Sequence, residues 1–251
     1  MTALLLAALA GHLVALAAYL ARARRLGLAL FVLGSLLTYV FLAREWLTIK
    51  APPFSMMPHI MILLSGCALP AYALFVWRER LAWLAPWFAA VAAVPLLYAI
   101  FARRPAGWQP PPALRSPWWL PHVLAYLLSY SLAAIAFLLA LTAIARPAAR
   151  ARFEDAAYRL LAFAFPLMTF GLVSGALWAE EAWGTYWSWD PKETWSLITW
   201  TLYIMYFHAR KDSALRPYAL PTQIVAFLAL ITTFLLVSFL PALASLLHSY
   251  T

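Results

Sequence analysis

The sequence predicts an all-α, polytopic membrane helix bundle of about eight transmembrane helices with both termini outside. Three observations lead to this fold class. Of the 251 residues, 66% are hydrophobic and only 11% are charged, and the mean hydropathy is +0.82. Long, mostly apolar runs recur along the whole chain. Basic residues are distributed unequally between alternate loops, as in membrane proteins with a fixed orientation.

The apolar runs are each long enough to cross a bilayer core of ~30 Å at ~1.5 Å per helical residue. Backbone groups in lipid must be satisfied internally, so we expect these runs to be helices. The predicted spans are 3–20, 26–43, 58–77, 81–101, 121–145, 157–179, 191–208 and 218–243. Because the arginines follow the first run instead of preceding it, we interpret this run as a retained helix and not as a cleaved signal peptide.

The loop charges predict the orientation of the spans. One set of alternate loops holds twelve basic residues: Arg22, Arg24, Arg25, Arg78, Arg80, Arg146, Arg150, Arg152, Arg159, Arg210, Lys211 and Arg216. The other set holds six: Arg44, Lys50, Arg103, Arg104, Arg115 and Lys192. The positive-inside rule places the first set in the cytoplasm. Both termini, the 102–120 loop and the loop before span 191–208 are then predicted to face outward.

Charge and cysteine content exclude several classes of protein. A formal net charge of +9 would suggest nucleic-acid binding in a soluble protein. Here the charges lie in short loops between apolar runs, so the predicted surroundings are a lipid bilayer, with no nucleic-acid partner. With Cys67 as the single cysteine, an intrachain disulfide, a CxxC redox pair and a thiolate metal cluster are excluded. We expect one integral membrane domain over residues 1–251, with an outer tryptophan-rich loop at 178–195.

The loop between the predicted spans 157–179 and 191–208 is unusually rich in aromatic residues. Residues 183–195 read WGTYWSWDPKETW, with four tryptophans and one tyrosine in thirteen positions. Both residue types are common at membrane surfaces, so an interfacial belt with core packing is the plain interpretation. Charged residues are interleaved with the rings: Glu180, Glu181, Asp190, Lys192 and Glu193. Aromatic walls with a few polar groups instead favour a concave ligand site.

The sequence DPKE also predicts a helix start. Asp190 suits the N-cap, Pro191 the first helical position, and Glu193 can reach back as in a capping box. This role explains Asp190 and Glu193 without a ligand, although it does not exclude one. Within the loop, Trp187 would share a face with Trp183 on a helix, or with Trp189 in an extended segment. Either arrangement lets several indoles line one pocket.

The five histidines differ in their predicted depth. His59, His122 and His248 lie at outer span ends, near the depth of the tryptophan loop. Imidazole is a common ligand of haem iron, and a porphyrin held between two histidines would also present a flat face to indoles. Each of these histidines, and His208 near the cytoplasmic surface, is also compatible with a wetted interfacial tip. His12 lies mid-span, where ionisable groups are rare; it either faces a functional partner or hydrogen-bonds another helix.

The residues that carry these features resemble a known family. The stretch WGTYWSWDPKETWSLITW at 183–200 closely resembles the tryptophan-rich WWD signature of the CcsA/ResC family of System II cytochrome c biogenesis. YIMYFHAR after it, WWLPHVLAY around His122 and LHSY around His248 are also similar to that family. The likeness is strongest from residue 117 to the end. The haem-handling proteins CcmC and CcmF share the tryptophan core, but DPKETW is closer to CcsA.

The resemblance implies a function in cytochrome c maturation. Such a protein sits in the cell inner (plasma) membrane, binds non-covalent b-type haem and carries it to the outer, periplasmic face. There it presents the haem for covalent attachment to the CxxCH motif of apocytochrome c. The implied partners are a separate CcsB/ResB-type membrane protein, apocytochrome c and thiol-reducing proteins. With such a partner the chain would be a subunit of a cytochrome c synthase (haem lyase).

The resemblance also implies site residues. His122 and His248 match the two outer ligands of haem iron; His208, and more loosely His12, match histidines that hold haem in transit. The implied haem platform consists of Trp183, Tyr186, Trp187, Trp189, Asp190 and Trp195. Haem propionates need cations, and the outer candidates are Lys192, Arg115, Arg103 and Arg104. His59 stands near a position where the family tends to have an acidic residue, and its role stays open.

Two other functions remain open from the residues alone. A haem transporter or exporter would be expected to carry intramembrane charges or broken helices in corresponding halves. The spans contain almost no charge and no fixed repeat, which counts against that class. A respiratory anchor that binds haem b or quinone would place two histidine pairs within the helices. Most histidines here lie at helix ends instead.

Overall fold

The computed structural model describes residues 2–50, 53, 56–79, 81–102 and 112–240, which form helices joined by short connections. The helices are α1 (Thr2–Leu20), α2 (Arg24–Ile49), α3 (Met57–Glu79), α4 (Ala85–Phe101), α5 (Trp119–Ala145), α6 (Arg150–Trp183), α7 (Pro191–Lys211), α8 (Arg216–Ile231) and α9 (Val237–Phe239). Short 3-10 turns lie at Ala82–Leu84, Pro112–Arg115 and Pro147–Ala149, and a π-helical turn, Thr232–Leu236, separates α8 from α9. No β-strand occurs in these described ranges, which confirms the predicted all-α class.

Seven helical segments of the described chain are long and apolar enough to cross a membrane: Ala3–Leu20, Arg24–Ile49, Met57–Phe75, Ala82–Phe101, Trp119–Ala145, Pro147–Trp183 and Arg216–Leu236. They coincide with seven of the eight predicted spans. The eighth span is α7, which is long enough but less apolar. Its ends carry Lys192, Glu193, Arg210 and Lys211, and its middle is rich in tryptophan and tyrosine.

Several helices extend beyond the apolar runs that predicted them. α2 continues from the predicted end at residue 43 to Ile49, and α6 runs from Arg150 to Trp183 instead of 157–179. Helical hydrogen bonding does not stop where hydropathy falls, because polar residues in these end turns still form helix. The predicted span 218–243 comprises α8, the π-helical turn and α9, and its last three residues lie outside the described chain.

The helices group into two compact units. The first unit lies within residues 1–110 and contains α1–α4; the second lies within residues 111–251 and contains α5–α9.

The core of the first unit is a series of rings, one from each helix. His12 of α1 contacts Phe31 of α2, with ring centroids 5.7 Å apart. Phe31 contacts Tyr72 of α3 at 5.6 Å, and Tyr72 contacts Phe88 of α4 at 5.3 Å. Both of these contacts are edge-on, the arrangement that aromatic quadrupoles favour. The four helices are therefore packed around a continuous column of aromatic side chains.

Glycines allow α1 and α2 to approach each other closely. A methyl group added at Gly11 would lie 3.1 Å from Cα of Gly34. A methyl group added at Gly34 would lie 3.0 Å from the carbonyl oxygen of Ala8 and 3.0 Å from Cε1 of His12. Small residues at such crossings replace side-chain volume with direct backbone contact, which is a common basis of helix association in membranes.

The second unit contains a buried polar contact between α5 and α8. The Gln223 side chain donates from Nε2 to the carbonyl oxygen of Ala136 over 2.8 Å, and Gln223 is buried. One turn further along α8, the ring of Phe227 stacks on the ring of Phe137, the residue after Ala136, with centroids 4.4 Å apart. The pair of contacts fixes the register of α8 against α5.

Two ends of the second unit differ in composition. At one end, which we call the loop end, α5 begins, α6 ends and α7 begins. At the other, the basic end, α6 begins, α7 ends and α8 begins. The basic end carries seven basic residues: Arg146, Arg150, Arg152, Arg159, Arg210, Lys211 and Arg216. The described part of the loop end carries two, Arg115 and Lys192.

Substitution of Gly34 by leucine tests the close crossing of α1 and α2. The added side chain meets main-chain atoms of α1 that cannot move away, so we expect the free energy of unfolding to fall by at least ~2 kcal/mol. The measurement is thermal unfolding of the purified protein in detergent. Ala43→Leu, on the exposed face of the same helix, is the matched control and should leave the unfolding midpoint close to that of the unmodified chain. Equal midpoints for the two variants would contradict the glycine contact.

Candidate functional site

His122 lies in the first turns of α5 at the loop end and has a fixed ring orientation. Its Nδ1 atom is 2.8 Å from the carbonyl oxygen of Gly171 on α6. A carbonyl only accepts, so Nδ1 carries the proton and donates it, and the lone pair of the neutral ring is on Nε2. Metal-binding histidines are oriented in this way, with one ring nitrogen held by an outer acceptor and the other available as a ligand.

Two glycines of α6 make room for this arrangement. A methyl group at Gly175 would lie only 2.7 Å from Cε1 and Nδ1 of His122. A methyl group at Gly171 would lie 2.9 Å from Cδ2 of Tyr126, one turn further along α5. The spacing is that of a GxxxG motif, which brings helix backbones close together in membranes. The imidazole therefore lies against a surface that only glycine leaves open.

Aromatic rings surround His122 on two sides. Tyr126 meets the imidazole edge-on at 5.0 Å, and Trp178 of α6 stacks on it at 5.7 Å with an interplanar angle of 28°. Trp178 also contacts Trp183, whose ring is 4.8 Å away. The histidine is thus connected by ring contacts to the first tryptophan of the loop.

Trp178 also holds the segment that precedes α5. Its Nε1 atom donates to the carbonyl oxygen of Ala113 over 2.7 Å. Nearby, the Ser116 hydroxyl donates to Glu181 over 2.5 Å, which ties the same segment to the end of α6. Both contacts belong to the loop end, so the 3-10 turn, the start of α5 and the end of α6 form one structure around His122.

The loop itself is extended between two helices. α6 ends at Trp183, followed by Gly184 in the left-handed region at φ 75°, which is a common helix stop. Trp187 and Trp189 meet edge-on, with centroids 5.7 Å apart. Trp189 is 68% exposed, and Tyr186 is also exposed, so the loop presents large aromatic surfaces outward. The Nε1 atom of Trp187 is buried, and no acceptor for it occurs in the described part of the chain.

The predicted capping box is present at the start of α7. The Asp190 side chain accepts from the Lys192 amide over 2.8 Å, and Glu193 accepts from the Asp190 amide over 3.2 Å. Glu193 also accepts from the amide of Ser188 over 2.8 Å. Its carboxylate therefore holds the amides on both sides of Trp189.

Trp189 requires that support. Its φ of 60° lies in the left-handed region, which bulky residues rarely adopt. Such a conformation persists where neighbouring contacts determine it, and it is common at functional sites. The two amides bound by Glu193, together with the Thr194 hydroxyl that donates to the Trp189 carbonyl over 3.3 Å, supply these contacts. The backbone that carries the exposed indole is therefore held by hydrogen bonds on both sides.

The last predicted platform residue, Trp195, and two of the predicted propionate contacts also lie at the loop end. Trp195 is half-buried in the first turn of α7, and Lys192 is half-buried beside the cap. Arg115 is exposed at the end of the 3-10 turn before α5.

His208 lies far from this group. It is exposed in the last turn of α7, at the basic end, ~25 Å along the helix from Pro191. Thr201 and Met205 share its exposed face, whereas Tyr203 and Tyr206 on the opposite face are buried. The structure therefore separates His208 from His122 along the length of α7.

The first unit contains His12 and His59. His12 is fully buried, and neither ring nitrogen has a hydrogen-bond partner in the described residues. The alternative in which His12 hydrogen-bonds another helix is therefore not seen there. His59 is buried as well, and its Nε2 atom is 3.3 Å from the Glu45 carboxylate, which is also buried. An acidic residue does accompany His59, but it comes from α2.

Three predicted residues, His248, Arg103 and Arg104, lie outside the described residues.

Sequence reasoning missed four residues that the structure places at these sites. Gly171 and Gly175 had a visible signal in the GLVSG spacing, and Trp178 falls five residues before Trp183. Glu45 was missed because the predicted span ended at residue 43. An acidic residue within the extended helix would otherwise have suggested a buried partner.

Comparison with known proteins adds two findings. The sequence model of the family described as Cytochrome C assembly protein matches residues 3–244. Among curated proteins, the chain is similar to "Cytochrome c biogenesis protein CcsA" of Guillardia theta, at 40% identity over 129 residues, which is 39% of this chain and 43% of that protein. The protein of the same name from Gloeobacter violaceus is 47% identical over 112 residues, which is 43% of this chain and 32% of that protein. The matched segments span less than half the length of these relatives.

Replacement of Glu193 by alanine tests the support of Trp189. Loss of the hydrogen bonds to both flanking amides should destabilise the loop locally by about 2 kcal/mol. We expect amide hydrogen exchange across 184–195, followed by mass spectrometry, to become more than about tenfold faster. Glu180→Ala removes an exposed carboxylate three residues before Trp183 and is the control. Unchanged exchange in the Glu193 variant would show that the cap does not hold the loop.

Proposed function

Since the chain belongs to the cytochrome c assembly protein family, we propose that it acts in cytochrome c maturation as a haem-handling membrane subunit. In this proposal it binds haem as cargo and presents it at the outer face of the inner membrane for attachment to apocytochrome c. The matched segments cover only part of the curated relatives. The support for the proposal therefore comes from the residues of this chain and their geometry.

The orientation of His122 is the observation that carries the proposal. The hydrogen bond from Nδ1 to the Gly171 carbonyl leaves Nε2 as the ligand nitrogen, and Gly175 allows the ring to lie there. The ring contacts from His122 through Trp178 to Trp183 connect the ligand to the aromatic loop.

The aromatic loop suits a large flat ligand. Trp183, Trp187 and Trp189, with Tyr186, supply ring faces and edges at the loop end. The buried Nε1 of Trp187 adds a donor that a polar group of the cargo can accept from. By resemblance, His248 supplies the second axial nitrogen. Asp190 and Glu193 serve the platform indirectly, because they hold the backbone on which the indoles stand.

The cations at the loop end suit the propionates of haem. Lys192 and Arg115 both lie there, and a carboxylate pairs favourably with either group. A bound haem supplies two vinyl groups to which the thiols of CxxCH add. The chain contributes position: when haem and thiols are held together, the reaction becomes effectively intramolecular.

The position of His208 suits a residue that holds haem in transit across the membrane. It is exposed near the predicted cytoplasmic side, ~25 Å along α7 from the cap of the platform. Its exposed face would be available to a membrane partner, for which we propose a CcsB/ResB-type protein. In this scheme haem reaches His208 before His122. Thiol-reducing proteins keep the CxxCH thiols of the apocytochrome reduced. His12, buried without a described hydrogen-bond partner, is a second transit candidate.

The optical spectrum of the purified chain tests the axial role of His122. We expect a Soret band in the unmodified protein and a loss of about tenfold or more in haem affinity in His122→Ala. Gly175→Ala should weaken the same band, because the added methyl group displaces the imidazole. Val173→Ala, on the exposed face of α6, is the control and should keep the spectrum. The axial assignment fails if no Soret band appears or if His122→Ala and Gly175→Ala leave it unchanged.

Covalent attachment of haem tests the order of the two sites. The chain is produced with a CcsB/ResB-type partner and an apocytochrome with one CxxCH motif, and attached haem is measured on denaturing gels. Both His208→Ala and His122→Ala should lower attachment. Haem added from the outer side should restore it only in His208→Ala, because that variant keeps the presentation site. Restoration in neither variant, or in both, would contradict transit through His208.

A further inference from the structure

The basic end of the second unit contains a cleft of about 430 Å³ that the proposed haem site does not use. Helices α6, α7 and α8 contribute to it. Its lining residues are Asp155, Tyr158, Arg159, Arg210, Lys211 and Arg216. Four of these six are basic and one is acidic, so the cleft is strongly positive.

Arg210 fixes the back of the cleft and does not need a ligand. Its guanidinium is bound by Glu154 over 3.2 Å and by Asp155 over 2.7 Å. The side chain of Arg210 is only 9% exposed, and its Cζ atom lies 5.5 Å from the centre of the Tyr158 ring. Asp155, the acidic lining residue, is thus already paired. Its charge is compensated within the wall of the cleft.

The other basic residues line the open part. Arg159, Lys211 and Arg216 are exposed, and each comes from a different helix. Lys211 and Arg216, which tertiary packing brings to one cleft, repel each other unless an anion or salt screens them. An anionic group that fills the cleft would relieve this repulsion.

The position of the cleft indicates what kind of anion this is. The basic end carries seven basic residues, against two at the described loop end, which places it at the cytoplasmic leaflet by the positive-inside rule. Tyr218, two residues after Arg216, is 64% exposed, and Leu215 beside it is 46% exposed. An exposed tyrosine is typical of the depth of lipid headgroups. Basic pockets between helices on this side of a membrane bind anionic headgroups.

We propose that this cleft is a binding site for the phosphate headgroup of an anionic phospholipid. Lys211 and Arg216 contact the phosphate, and Arg210 holds α6 and α7 at the required separation. The site joins the ends of three helices through a lipid, so occupancy stabilises the second unit. The inference is independent of haem binding at the loop end.

Native mass spectrometry tests the site. The full chain is released from nanodiscs that contain equal amounts of phosphatidylcholine and phosphatidylglycerol, and the retained lipids are identified. We expect the unmodified chain to retain phosphatidylglycerol preferentially. Lys211→Gln/Arg216→Gln should lower its affinity about thirtyfold, as expected for the loss of two interfacial cations. Lys211→Arg/Arg216→Lys keeps both charges and should retain the lipid.

Arg146→Gln/Arg152→Gln is the matched control, because it removes two charges from the same end outside the cleft. It should change retention by less than about twofold. Equal losses in both double variants would mean that the lipid responds to overall surface charge, and the site would be rejected. No preference for phosphatidylglycerol in the unmodified chain would reject it as well. If the cleft variant instead keeps its lipid and loses haem, the cleft binds porphyrin carboxylates and the lipid assignment is wrong.

Discussion

The contact of α5 with α6 at Gly171 and Gly175 is the constraint on which the candidate site depends. Without side chains at these two positions, His122 and Tyr126 can lie directly against the α6 backbone. The same closeness brings the Gly171 carbonyl to Nδ1 of His122 and lets Trp178 stack on the imidazole. The orientation of the His122 ring and the position of Trp178 beside the aromatic loop therefore have one common cause in helix packing.

The loop has a second, local source of rigidity. A tryptophan in the left-handed region is unfavourable by itself, and Glu193 compensates by binding the amides on both sides of Trp189. The carboxylate that caps α7 thus also holds the backbone from which an exposed ring projects. An acidic residue in this segment serves the site through the backbone, while the aromatic residues provide the surface. The two ends of α7 then differ in structure: one has a capping box that also binds the aromatic loop, and the other has an ion-paired arginine.

Local features of the site were predictable from the sequence, and tertiary ones were not. The start of α7 at Pro191 and its capping box follow from four consecutive residues, so DPKE was sufficient. The apolar runs located the membrane-spanning helices for the same reason. The hydrogen bond from His122 to Gly171 joins residues 49 positions apart, and no local pattern specifies which helices pack together. Glu45 beside His59 is a similar case, since α2 continues past its apolar run.

The acceptor for His122 is a main-chain carbonyl, and this affects how the protein tolerates mutation. No side-chain replacement at Gly171 removes that oxygen, so the tautomer of His122 is protected against chemical change at its partner. The position of the ring is sensitive to side-chain volume at residues 171 and 175, because any residue larger than glycine there would clash with His122 or Tyr126. Substitutions at these two positions can thus shift the imidazole in space, yet they cannot easily reverse which of its nitrogens carries the proton.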